Sequence, residues 1–203
     1  MHMNIAIRVS FILFVMVLAA VILSHHAHAF GEEAHRIEAV AGYSSGKVNS
    51  DYLDGSVSVG NGPALGLNFW KDGAFDTEMV SLGFGYKYHQ HKRTFTVANY
   101  SGSAELNAHD LLLKLAIRDS FSYSEFKPYA GFGMGVTHMN TDISDETANG
   151  YTLSGFLGID YDIPDSQFYI GAETSYTRTW ATVYDTDFTL NSFDGLAKIG
   201  IKF

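Results

Sequence analysis

DGLAKIGIKF, residues 194–203, reads as the edge of a sheet and not as a tail. Phe193, Ala197, Ile199, Ile201 and Phe203 fall two apart with only Gly195 as a gap, while Asp194, Lys198 and Lys202 take the opposite face. The last residues of a soluble domain usually fray, because ordering them costs entropy that nothing repays. Here the apolar face continues to Phe203. The fold therefore turns on which solvent that face meets.

The same alternation recurs upstream, broken by turn residues. RIEAVAGY at 36–43 sets Ile37, Ala39, Ala41 and Tyr43 against Arg36, Glu38, Val40 and Gly42. PALGLNFW at 63–70 aligns Leu65, Leu67 and Phe69, and MVSLGFGYKYHQH at 79–91 aligns Val80, Leu82, Phe84, Tyr86 and Tyr88. HDLLLKLAIR at 109–118 aligns Leu111, Leu113, Leu115 and Ile117; PYAGFGMGVTH at 128–138 aligns Ala130, Phe132, Met134 and Val136. YTLSGFLGIDY at 151–161 and FYIGAETSYTRTW at 168–180 repeat the pattern, and the closing strand makes eight. Runs of about ten residues suit tilted strands crossing a bilayer.

Connection lengths extend the reading. Residues 44–62, 92–108, 139–150 and 181–192 are expected as long loops, and 71–78, 119–127 and 162–167 as short turns. That alternation is the one expected when every second connection faces the periplasm. Pro63 and Pro128 start strands and Pro164 lies in a turn, so no ladder bond is interrupted. Aromatic residues gather near strand ends, among them Tyr43, Trp70, Tyr151, Trp180, Phe193 and Phe203, as expected of rings placed at a membrane interface.

The N-terminus implies export. Arg8 precedes an apolar run from Phe11 to Leu23, and Ala27-His28-Ala29 has the small-x-small form of a cleavage site. Residues 1–29 are read as a signal peptide and 30–203 as one barrel domain; His2, His25, His26 and His28 leave with the signal. The chain has no cysteine, which excludes thiol chemistry and a thiolate metal site. Its net charge of −9 and lack of a basic stripe argue against nucleic acid as a partner.

Alternation alone does not say which face is wet, because a soluble lipocalin-like carrier alternates too. The polar face decides it. That face carries glycine, small hydroxyls and sparse charges of both signs, namely Arg36, Glu38, Lys114, Arg118, Asp160, Glu173 and Lys198. A water-exposed face would be crowded with long charged side chains, whereas this set suits a narrow interior where opposite charges pair. The expected fold is all-β, an eight-stranded antiparallel up-and-down transmembrane β-barrel, with hydrocarbon outside and Phe203 on the strand that closes the sheet.

The signal peptide, the eight alternating strands and the terminal AKIGIKF resemble the small outer-membrane barrel proteins of Gram-negative bacteria, the OmpA-like and opacity-type group, and PYAGFGMGV at 128–136 is similar to a Pro-Tyr-x-Gly-x-Gly strand common there. The resemblance implies an outer-membrane location and a closing strand read by the barrel-assembly machinery through Phe193, Ala197, Ile199, Ile201 and Phe203.

An eight-stranded barrel is filled by its own side chains, so a wide diffusion pore is not expected. Function is then expected on the outer surfaces. The first reading is a non-enzymatic barrel whose extracellular loops mediate surface contact or envelope stability, with outer-membrane lipid and lipopolysaccharide as partners and no cofactor or metal. The loops carry Asp51, Asp54, Asp142, Asp145, Glu146, Asp185 and Asp187, in spacings that match no calcium loop. The alternative is an enzyme that modifies lipid A, suggested by His89, His91, His109 and His138, which are expected together at one rim. No His-x-Ser pair accompanies them.

Overall fold

The computed structural model describes residues 35–50, 56–97, 100–118, 125–141, 147–183 and 186–203. The expected signal peptide and most of the acidic loop residues, Asp51, Asp54, Asp142, Asp145, Glu146 and Asp185, lie outside them. Eight strands follow in chain order: β1 (His35–Ser50), β2 (Ser56–Asp72), β3 (Val80–Val97), β4 (Tyr100–Arg118), β5 (Phe126–Thr141), β6 (Thr147–Asp162), β7 (Phe168–Val183) and β8 (Thr186–Lys202). Each pairs antiparallel with its sequence neighbours, and β1 pairs with β8, from Arg36↔Lys202 to Ser50↔Phe188, to close the barrel.

The apolar faces point outward. Leu113 is 54% exposed and Leu157 60%, while Lys114 and Glu173 are each 6% exposed inside. In water such a surface would be a large aggregation patch. In hydrocarbon it is the stable side, and closure leaves no unpaired edge around the wall.

Strand length departs from the sequence reading. The strands run 16–19 residues, so most of 44–62, 92–108, 139–150 and 181–192, expected as loops, is ladder. These segments lose the strict apolar alternation because they lie beyond the hydrocarbon, where both faces tolerate polar residues. They are wall and not loop. At their far ends β3 and β4 pair only with each other: pairing with β2 reaches Asn61↔Lys92 and pairing with β5 reaches Leu106↔Thr141, whereas β3–β4 pairing continues to Val97↔Tyr100. Among the described residues they form a projecting two-stranded ribbon.

Trp70 is a second departure. It is fully buried inside the barrel and not at an interface. Three interior rings lie against glycines directly opposite on the next strand: Trp70↔Gly83, Tyr129↔Gly158 and Tyr169↔Gly200. A Cβ at Gly158 would sit 2.1 Å from the Tyr129 hydroxyl, and one at Gly200 2.3 Å from the Tyr169 ring. Glycine on the polar face is thus the space that lets large rings fill a narrow interior.

Candidate functional site

The inward side chains form two polar layers. In the lower, periplasmic layer the Glu38 carboxylate is the centre. Trp70 Nε1 donates to it at 2.9 Å, Asn68 at 3.1 Å and the Tyr169 hydroxyl at 2.8 Å, and Lys198 Nζ lies 3.2 Å away. Lys198 also meets Asp160 at 2.6 Å, and Arg118 meets the same carboxylate at 2.9 Å. Lys114 lies 3.5 Å from Glu173, which accepts from the Tyr129 hydroxyl at 2.8 Å, and Arg36 pairs with Asp72. Cations sit over rings as well, Lys198 at 4.1 Å and Arg118 at 4.4 Å from the Tyr129 centroid. All seven residues expected as an interior network are in this layer. The rings Trp70, Tyr129 and Tyr169 complete it; parity puts Tyr129 on this face, while the aromatic character of Trp70 and Tyr169 hid that role in the sequence.

The upper layer is built on Lys87, Asp110 and Asp194. Lys87 Nζ lies 2.6 Å from Asp194 and 3.3 Å from Asp110. Ser175 donates to Asp194 and Thr137 to Asp110, and hydroxyls of Thr152, Thr179, Ser154 and Thr177 continue the net. His89 and His91 belong here: His89 Nε2 is 3.2 Å from Asp110, His89 Nδ1 is 3.0 Å from His91 Nε2, and Ser192 Oγ is 3.3 Å from that same nitrogen. Outside this layer an apolar cluster of Ala108, Met139, Ala148, Ala181 and Leu190 fills the interior, with Val48, Val59, Leu106 and Phe188 packed on it.

The four histidines therefore do not share one rim. His89 and His91 are fully buried within the barrel. His109 and His138 lie on the outer wall, where they face each other across β4 and β5 with ring centroids 6.5 Å apart. The wall continues past His109 for nine residues toward Tyr100, so neither pair is at a strand end as the loop reading implied. On this outer patch Tyr86 Oη and His109 Nδ1 are 2.8 Å apart, Tyr88 packs on the His109 ring at 5.1 Å, and the Tyr88 hydroxyl donates to Asn107 at 2.7 Å. His138 Nδ1 lies 2.8 Å from Asn149 Oδ1. Tyr86 and Tyr88 share the outward parity of strand β3, but only the register shows that they flank His109.

Catalysis needs a nucleophile within reach of a base. Among the described residues no serine is hydrogen-bonded to His109 or His138, and Ser192, beside His91, is sealed under the apolar cluster. No group of three or more His, Asp and Glu side chains is arranged to hold a metal ion among the described residues. Phe193, Ala197, Ile199, Ile201 and Phe203 all stand on the outward side of β8, while Asp194, Leu196 and Lys198 are buried between them.

A closed eight-stranded wall, apolar outside and ionic inside, defines a small outer-membrane β-barrel. The family model for the outer membrane protein beta-barrel domain matches residues 15–192. The chain belongs to that family, and with it to the bacterial outer membrane. Among solved structures it is similar to Neisserial surface protein A, at 16% identity and a TM-score of 0.62, over 85% of this chain and 100% of that one. It is also similar to a major outer membrane protein from Thermus thermophilus, at 10% identity and a TM-score of 0.55, over 84% of this chain and 99% of that one. At such identities these likenesses concern the fold. A search of curated protein sequences finds no match.

Proposed function

We propose that this is a non-enzymatic envelope barrel whose extracellular portion mediates surface contact or contributes to envelope stability. The observation behind this reading is the filled interior. Two ionic layers and an apolar cluster occupy it in succession, leaving the outer surfaces to carry function. The projecting β3–β4 ribbon takes the place that the sequence reading gave to long loops. Its partners are proposed to be outer-membrane lipid and lipopolysaccharide, with the barrel-assembly machinery reading Phe193, Ala197, Ile199, Ile201 and Phe203 during insertion.

Gene deletion combined with a shortened ribbon, residues 93–104 replaced by a tight turn, tests the reading. Deletion should lower surface adherence or raise sensitivity to detergent with chelator, and the shortened protein should fail to restore either while still folding. Full restoration by the shortened protein removes the ribbon from the reading. An unchanged deletion strain removes the reading itself.

A second reading, a lipid A-modifying enzyme, draws on the Tyr86–His109 contact at the lipid face. Mass spectrometry of lipid A with and without the gene decides it. An altered acyl or sugar pattern abolished by His109→Ala or His138→Ala would favour the enzyme.

A further inference from the structure

The outward histidines stand where two hollows of the lipid-facing wall meet. One, of about 820 Å³, has a floor of Ala39, Ala41 and Ala197 and ends against Tyr86, Tyr88 and His109. The other, of about 610 Å³, passes His109 and His138 toward Tyr151. Tyr86 and His109 line both, so their hydrogen-bonded pair is a ridge between the two.

Hollows in a wall wetted by hydrocarbon are filled by acyl chains, because water there lacks partners. The polar chemistry at the ridge needs a separate explanation. Neighbouring outward positions are apolar, Leu111 on β4 and Val136 on β5. His109 engages Tyr86 through Nδ1 and His138 engages Asn149 through Nδ1. Among the described residues neither Nε2 has a hydrogen-bond partner, and a polar group beside hydrocarbon is costly without one.

We propose that this patch is a binding site for lipid A, with acyl chains seated in the hollows on either side of the Tyr86–His109 ridge and a phosphate group received by the Nε2–H of His109, whose Nδ1 accepts from the Tyr86 hydroxyl. Two features select lipid A over a glycerophospholipid. The histidines lie toward the extracellular end of the apolar band, on the outer leaflet, and hollows on both sides of one ridge suit a headgroup that carries several chains. Imidazole N–H donors to phosphate are charge-assisted and correspondingly strong. The inference deepens the lipopolysaccharide partnership proposed above and rests on the barrel's place in the membrane, independently of the role given to the ribbon.

Purified barrel in detergent, mixed with lipid A or with dimyristoyl phosphatidylglycerol and examined by native mass spectrometry, provides the test. The wild type should retain lipid A in preference to phosphatidylglycerol. His109→Phe combined with His138→Phe should lower retention by about tenfold, the loss of one hydrogen bond to a charged group. Ala197→Leu, which fills the larger hollow and leaves both histidines in place, should lower it as well. Unchanged gel mobility before heating shows that each variant is folded. Equal retention of the two lipids by the wild type, or undiminished lipid A on the double histidine variant, would overturn the proposal. Because the assay uses isolated protein, its failure leaves the adherence and sensitivity experiments untouched.

Discussion

His89 and His109 are near neighbours on the β3–β4 ladder, where His89 stands opposite Ala108 and His109 opposite Tyr88, yet they live in different solvents. His89 faces inward and is fully buried against Asp110 and His91. His109 faces outward among tyrosines, beside hydrocarbon. The separation is one step of register, since successive side chains on a strand take opposite faces. A histidine in a barrel wall therefore has no meaning by residue type alone. Its parity decides whether it joins an ionic interior, where its loss strands a buried charge, or a lipid surface, where its loss strands only a neutral partner such as the Tyr86 hydroxyl.

That contrast between inside and outside can be broken by four substitutions. The largest effect belongs to the lower interior: Lys198→Met takes from Glu38 and Asp160 one of the two cations that bridge them, leaving Arg118 alone, and should cost about 3–5 kcal/mol. The denaturant midpoint of the shift between folded and unfolded gel bands measures it. Next comes a charge on the wrong side of the wall, Leu113→Arg, expected to cost about 2–4 kcal/mol near the bilayer midplane by the same measurement. A soluble-like indifference at this position would mean that the outside is not in lipid.

His89→Leu should cost less, about 1–3 kcal/mol, because Asp110 keeps Lys87 and Thr137 but loses the ring. The smallest change is His109→Phe, expected to cost about 1 kcal/mol because the Tyr86 hydroxyl loses its partner. If His109→Phe proves more damaging than His89→Leu, the two histidines are not separated by solvent as described and the contrast fails.

Much of the interior was legible in advance. Arg36, Glu38, Lys114, Arg118, Asp160, Glu173 and Lys198 stand out because a charge between apolar neighbours in a period-two pattern has only one face to occupy. Lys87, Asp110 and Asp194 obey the same parity and were readable from it. Tyr129 takes the polar face by that same parity, but Trp70 and Tyr169 were not legible, since an aromatic ring suits interface and interior alike until the glycine opposite is known. The outer patch was half legible: parity turns His109 and His138 outward, but nothing local says that Tyr86 would reach His109.

The sequence by itself determined the strand count, the face that each residue takes and the medium outside, because alternation and the chemistry of each face are local properties of the chain. Only the tertiary structure decided how far the strands run past the membrane, which carboxylate each cation meets, and that His89 and His109 belong to separate sites. Those outcomes depend on register between strands distant in sequence, where a shift of one residue exchanges inside for outside.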